Sequence, residues 1–289
     1  MRTRHIAARA RRGRTVRTAA TLIALTGLFA VSGCGVPRYV DDARRDAAVD
    51  ARLLQAPASG CPAPQTFTRP PGTTRKVALT FDDGPTPGTT EQILAILAEE
   101  GVKATFFDLG LFSREYPDLQ RATWEAGHTI GVHAYDHTDL TTVSPEQARS
   151  EMERTAREII RNTGAPVCFA RPPYGATNAA VRNEIYAQGF SQVLWNIDSR
   201  DWVKPGTGTI TQDATRVIDT TPVTVLMHAS LPETPDGSDA PLTSTVASLR
   251  PVIQAYKRMG YEFVQVDGTP FPLRGAATVS AASGASPSR

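Results

Sequence analysis

Between Lys76 and Val266, short apolar β-forming runs alternate with segments whose apolar residues recur every three or four positions. This alternation constrains the fold most, because parallel neighbours need a long crossover and a helix is the usual one. The strand-like runs are Lys76–Phe81, Val102–Leu109, Thr129–Val132, Val167–Arg171, Gln192–Ile197, Val223–Met227 and Phe263–Val266. Helical spacing is read in Thr90–Glu100, Pro117–Ala126, Asn178–Gln188, Thr209–Asp219 and Leu242–Met259. Ser144-Pro145-Glu146-Gln147 opens the longest helix, running to about Asn162, as a capping box with proline in the first turn. About seven strands fit an incomplete (β/α) barrel or an open doubly wound sheet.

The unusual side chains gather where these runs end, the face on which barrels of this kind place their sites. The first run stops at Asp82-Asp83-Gly84-Pro85. Two acids there are costly unless they are paired, hydrogen-bonded or bound to a cation. Successive side chains of an extended chain point opposite ways, so the two acids are expected to have different partners, one a metal and the other a mobile proton. A solvated turn is the plain alternative. The other clusters are His133 with His137, Arg171 to Tyr174, Asp198 to Trp202, and Leu226 to His228. In a continuing strand the two histidines would lie about 13 Å apart at ~3.3 Å per residue. If the chain turns at Asp136 they converge, and two histidines with one carboxylate then leave open positions on a divalent ion. His128 falls outside the clusters and reads as a helix-end or core histidine, and Asp198 reads as a turn cap.

The ends of the chain have a different character. Seven arginines (Arg2, Arg4, Arg9, Arg11, Arg12, Arg14 and Arg17) precede an apolar run from Ala19 to Val31. That run is too short and interrupted for a membrane span but suits a secretory signal. It ends in Val31-Ser32-Gly33-Cys34, which is similar to a lipoprotein processing site, so residues 1–33 are expected to be a signal peptide and Cys34 the lipidated residue. The expected location is the outer face of the cytoplasmic membrane. Residues 34–75, rich in proline towards their end, read as a tether, 76–272 as the folded domain, and 273–289 as a disordered Ala/Gly/Ser tail. The 31 basic residues less those seven leave 24 against 29 acidic ones, a net of −5, which gives no support to nucleic-acid binding. Export implies an oxidising compartment, where Cys61 and Cys168, the cysteines left after Cys34, are expected to pair.

In order and spacing, TFDDGP at Thr80–Pro85, HAYDH at His133–His137, RPPY at Arg171–Tyr174, DSRDW at Asp198–Trp202 and LMH at Leu226–His228 resemble the motifs of the polysaccharide deacetylase family (NodB-like, carbohydrate esterase family 4). The resemblance runs from Lys76 to about Pro272 and implies an incomplete, distorted (β/α) barrel of about seven parallel strands. It implies Asp82 as general base and Asp83, His133 and His137 as ligands of one divalent ion, Zn²⁺ first and Co²⁺ or a similar ion otherwise. It implies that Arg171 pairs with Asp82, that Asp201 partners His228 as general acid, and that the Tyr174 backbone N–H helps hold the oxyanion. Trp202 and Leu226 would enclose the acetyl methyl. The implied substrate is an acetylated polysaccharide, with N-acetyl groups of peptidoglycan amino sugars first. Acetylated xylan or chitin oligomers are alternatives, and a non-catalytic carbohydrate-binding lipoprotein is a reading of another class. A monomer is expected. Three positions depart from the family pattern: Ala134 where a hydroxyl is usual, Asp108 where an apolar residue is usual, expected to bring an acid near the site, and Ala229 where an acid is common.

Overall fold

The computed structural model describes residues 60–217, 221–231 and 242–272. Cys34, the leader before it, most of the expected tether and the tail from 273 lie outside the described residues. The chain runs through β1 (Thr66–Phe67), β2 (Lys76–Gly84), α1 (Thr89–Glu99), β3 (Thr105–Asp108), α2 (Gly110–Glu115), α3 (Pro117–Glu125) and β4 (Thr129–Val132). It continues through α4 (Pro145–Thr163), β5 (Phe169–Ala170), α5 (Ala179–Ala187), β6 (Ser191–Val193) and β7 (Ile197–Asp198). The last elements are α6 (Thr207–Ala214), β8 (Val223–His228), α7 (Thr243–Arg258) and β9 (Glu262–Phe263).

Every strand pairing is parallel, in the order β1-β6-β5-β4-β3-β2-β8-β7 with β9 on β2. The sheet is therefore the curled, distorted α/β half-barrel expected, with two refinements. β1 lies in the stretch read as tether; two residues among prolines carry no periodic signal, yet Thr66 and Phe67 pair with Gln192 and Val193. The single run Gln192–Ile197 is in fact two strands at opposite ends of the sheet. Leu194 to Asn196 cross between them: the Leu194 N–H donates to Phe67 O at 2.8 Å and the Asn196 N–H to Thr224 O at 3.3 Å. Three residues thus bridge the barrel seam.

Alternation along the strands decides what faces inward. Val77, Leu79 and Phe81 of β2 pack with Ile93 and Leu97 of α1 and Leu249 and Ile253 of α7 in one apolar cluster. Ile130 and Val132 of β4 pack with Met152 and Ile159 of α4 in a second. The third cluster holds Ala78, Phe107, Phe169 and Val193, strand residues without a helical partner, and is the barrel interior. Each fully buried side chain of this kind contributes roughly 1.5–3 kcal/mol. Gly131 is also inward, and a Cβ there would come within 2.8 Å of the Phe107 ring. The inward set continues upward by period two: Ala78-Thr80-Asp82, Gly131-His133, Phe169-Arg171 and Leu226-His228. The apolar pattern that builds the core also delivers the polar residues to one end of it.

Candidate active site

Asp82 follows that alternation and is 2% exposed. Its Oδ1 accepts a hydrogen bond from Arg171 Nη1 at 2.6 Å. Arg171 is itself buried, donating also to Thr80 Oγ1 at 2.9 Å, Val193 O at 3.3 Å and Leu194 O at 3.2 Å, with its guanidinium 4.2 Å from the Phe107 ring centroid. Burial lifts the Asp82 carboxyl above the usual carboxylate range, and the Arg171 charge opposes that rise.

Asp83 joins His133 and His137 at the site, as expected, but it does so by leaving the regular alternation of β2. The β2–β3 register slips between Asp82 and Gly84, leaving Asp83 as an extra residue with φ 68°. This bulge turns its side chain back to the same side as Asp82. A left-handed aspartate is locally unfavourable by on the order of 1–3 kcal/mol, and such strain gathers at functional sites. The neighbouring acids have different partners within one cavity, as expected.

His133 is the next inward residue of β4. Its Nδ1 lies 2.7 Å from Arg171 O. A carbonyl only accepts, so Nδ1 carries the proton and Nε2 presents its lone pair. The chain then turns through Ala134 (φ 63°) and reaches His137 at φ 66°. The turn brings the two rings to 5.2 Å between centroids, the converging arrangement of the two considered. Ala134, lacking the usual hydroxyl, is supported otherwise: its carbonyl accepts from the Gly110 N–H at 3.1 Å and Thr155 Oγ1 at 2.7 Å.

Nε2 of His133 and Nε2 of His137 each lie 3.4 Å from Asp83 Oδ1, which is buried and has no hydrogen-bond partner. Burial drops both histidines to about 3, so they are neutral, and lifts Asp83 to about 8. At that value Asp83 keeps its proton at neutral pH while the site is metal-free; a divalent ion facing the two imidazole lone pairs would displace that proton and favour the charged carboxylate. These three groups are the one set among the described residues that converges to hold a metal, and the donor set suits a catalytic divalent ion.

Across the cavity, His228 Nδ1–H donates to Asp201 Oδ1 at 2.7 Å and the His228 backbone N–H donates to Oδ2 at 2.9 Å. Thr245 Oγ1 adds a third bond to Oδ2 at 3.0 Å. Burial works against the imidazolium, but Asp201 outweighs it and holds His228 up at about 9. His228 is therefore a cation at neutral pH.

A cavity of about 370 Å³ joins these groups and is lined by Asp82, Asp83, His133, His137 and His228, with Leu226, Trp202 and Tyr174 around them. Leu226 is buried, whereas Trp202 and Tyr174 are 49% and 68% exposed at the mouth. Tyr174 is left-handed (φ 60°), and its ring stands 4.5 Å from that of His137. All the residues singled out at the strand ends thus meet in one place. Asp198 caps the Arg200 N–H at 2.8 Å, and His128 is buried with Nδ1 on the Ala104 N–H at 3.1 Å, both as read. Asp108 lies near the site, as expected, paired in register with Gly84 and close enough for the Asp82 charge to add to its rise. It occupies the helix-facing side of β3, where Gln120 Nε2 donates to it at 2.8 Å and burial lifts it to about 7, and it does not line the cavity. Ala229 packs in the core cluster behind β2. Sequence reading missed Trp195, which lines the cavity and stacks where a Cβ on Gly175 would be 2.7 Å away. It also missed the supports Gly110 and Thr155, whose positions carry no local signal.

The family model for Polysaccharide deacetylase matches residues 69–193. The chain is 36% identical over 195 residues to a peptidoglycan-N-acetylglucosamine deacetylase of Listeria monocytogenes, covering 68% of this chain and 39% of that protein. It therefore spans about two fifths of that relative's length. It is 36% identical over 191 residues to a chitooligosaccharide deacetylase of Rhizobium leguminosarum bv. trifolii, covering 65% of this chain and 88% of that one. Among solved structures it is similar to a mutant, with restored enzymatic activity, of a CE4 family pseudoenzyme from Bacillus anthracis, at TM-score 0.64 and 27% identity, over 72% of this chain and 74% of that one.

Proposed function

The chain belongs to the polysaccharide deacetylase family, and from that premise we propose that it is a metal-dependent N-deacetylase of peptidoglycan amino sugars. The observation that carries this reading is the unpartnered, buried Asp83 Oδ1 facing two neutral histidines, beside a buried acid on an arginine and a histidine held as a cation. A divalent ion held by Asp83, His133 and His137, Zn²⁺ first and Co²⁺ as a substitute, would acidify a water and polarise the acetyl carbonyl. Asp82 takes the proton of the attacking water, and Arg171 fixes the carboxylate that does so. His228 gives its proton to the departing amine nitrogen, and Asp201 keeps it charged and oriented. The Tyr174 N–H supports the oxyanion, and Leu226 with Trp202 receives the methyl.

The similarity to a chitooligosaccharide deacetylase supports chitin oligomers as a second substrate. A pseudoenzyme among the similar structures means that the fold alone does not imply turnover; the complete set of base, acid and ligands supports turnover here. The deciding measurement is acetate release from peptidoglycan, chitin oligomers and acetylated xylan by protein stripped with a chelator and reloaded with Zn²⁺. Release from the amide substrates that returns with metal supports the proposal, release from xylan alone moves the reading to an O-deacetylase, and binding without release makes it a carbohydrate-binding protein. In the same reading the chain acts as a monomer, and Cys34 carries a lipid that anchors it outside the cytoplasmic membrane. Cys34→Ser would then release or misprocess the protein, and an unmodified mature N-terminus beyond Gly35 would exclude the anchor.

A further inference from the structure

A second cavity, of about 410 Å³, lies at the barrel seam, where Asn196 and Ile197 meet Thr221 and Val223 at the entry to β8. Asp198 lines both this cavity and the catalytic one, so the two adjoin. Three arginines reach the seam from separate parts of the chain: Arg69 just after β1, Arg200 just after β7 and Arg216 just after α6. Arg216 is paired with Asp213 at 3.3 Å. The guanidinium groups of Arg69 and Arg200 have no hydrogen-bond or ion-pair partner among the described residues. Two acids also line the cavity: Asp213 is the partner of Arg216, and Asp198 has its Oδ1 on the Arg200 backbone N–H. Arg200 is itself held left-handed at φ 56°, in the turn that leads to Asp201, so its backbone is set by the same turn as the catalytic acid's partner. Guanidinium groups without partners, set along one cavity, form a carboxylate receptor, because the planar fork of each matches a carboxylate.

We propose that the seam cavity is an anion subsite for a carboxylate carried near the sugar being deacetylated, which makes the enzyme selective for acidic over neutral amino-sugar polymers. This rests on the deacetylase reading above and narrows it: in peptidoglycan such a carboxylate is either the lactyl group of a muramyl residue or the peptide built on it. Neutral chitin oligomers have no group for this subsite.

The test compares the metal-loaded native chain with the double variant Arg69→Gln/Arg200→Gln. Binding is measured by calorimetry on four oligosaccharides of equal length: muramyl oligomers with free lactyl groups, the same with peptide stems, the same with every carboxyl amidated, and a chitin oligomer. The native chain is expected to bind the better of the two acidic oligomers about tenfold more tightly than the amidated one, since two exposed charge pairs are each worth a few-fold. Raising salt should shrink that preference. The double variant should lose it while binding and deacetylating the chitin oligomer as before. Which acidic oligomer shows the effect identifies the lactyl or the peptide carboxylate as the ligand. Equal affinity of native protein for acidic and amidated oligomers, or a variant that loses both alike, overturns the subsite. If the native chain releases no acetate from any oligomer, the deacetylase reading fails while the binding comparison still decides the subsite. Should the double variant not fold, Arg69→Gln alone, at an exposed side chain outside the Asp201 turn, is read the same way with a shift of about threefold.

Discussion

Asp82 and Asp83 are adjacent, equally buried and differently employed, so they should fail differently. Asp83→Ala removes one of three converging ligands, and metal content and activity should fall together. Asp82→Asn keeps the shape and leaves those ligands alone, so metal should stay bound while the rate falls by roughly 10²–10⁴, the usual loss with a general base. Metal analysis of the two purified variants checks this; an empty Asp82→Asn beside a loaded Asp83→Ala would reverse the two roles. His228 gives a pH prediction with a definite sign. Its folded value of about 9 lies above its ordinary 6.5, so its link to Asp201 stabilises the fold fully below about 6.5 and that stabilisation is lost as pH rises through about 9. The proton donor disappears over the same upper range. Asp201→Asn should therefore move the basic limb of the rate profile to lower pH and lower stability at neutral pH by about 3–5 kcal/mol, the cost of breaking a buried pair. An unmoved basic limb would show that another group titrates there. At this scale the sequence disclosed residue types and their clustering, because acids, histidines and arginine at strand ends are expensive unless used. It did not disclose the left-handed Asp83, since a bulge depends on how β2 meets β3 rather than on the residues beside it.

The turn holding His133 and His137 is supported by other elements rather than by its own residues. α2 supplies the Gly110 N–H and α4 the Thr155 hydroxyl, both to Ala134 O. Gly110 must lack a side chain, because a Cβ there would lie 2.2 Å from the Tyr135 ring and 2.6 Å from Thr155 Oγ1. Thr155→Val keeps the volume and removes the donor. Outer supports of metal ligands commonly matter by about 10–100-fold in affinity, so Zn²⁺ affinity should fall about tenfold with little change in unfolding midpoint, and Thr155→Ser should restore it. A loss of stability without a loss of metal affinity would make Thr155 a packing residue only. Long elements were legible: α4 starts at the Ser144–Gln147 capping box, with mutual bonds of 3.2 and 3.1 Å, and ends at left-handed Gly164. Short ones were not. β1 has two residues, α2 follows β3 after one residue, and the β6–β7 run has strand character throughout although its halves pair at opposite ends of the sheet. Pairing partners far along the chain, not local preference, decide such pieces.

At the scale of the whole molecule, the N-terminal edge of the barrel is held by a short strand, its side-chain bonds and one covalent bond. Cys61 and Cys168 are joined, 107 positions apart, as expected from two thiols remaining in an oxidising compartment. The bond ties the segment entering β1 to the residue before β5, while β1 itself pairs with β6 over two residues, with Thr66 Oγ1 2.7 Å from the Tyr186 hydroxyl and Phe67 packed against Phe169. A loop of about 100 residues closed in the unfolded chain corresponds to at most about 4.7 kcal/mol in the chain-entropy picture, and removal of native disulfides typically costs about 2–5 kcal/mol. The double variant Cys61→Ser/Cys168→Ser should therefore unfold at lower denaturant, with β1 becoming accessible to protease near Arg69 before the rest of the barrel. Metal affinity should be nearly unchanged, because Asp83, His133 and His137 come from β2 and the end of β4, away from that edge. The edge prediction also separates the two cavities: loosening β1 should weaken carboxylate selectivity at the seam, where Arg69 lies, while deacetylation of a neutral oligomer continues. Two free thiols in unreduced, unfolded native protein, or an unfolding midpoint that reductant does not move, would show that the edge is held by packing alone.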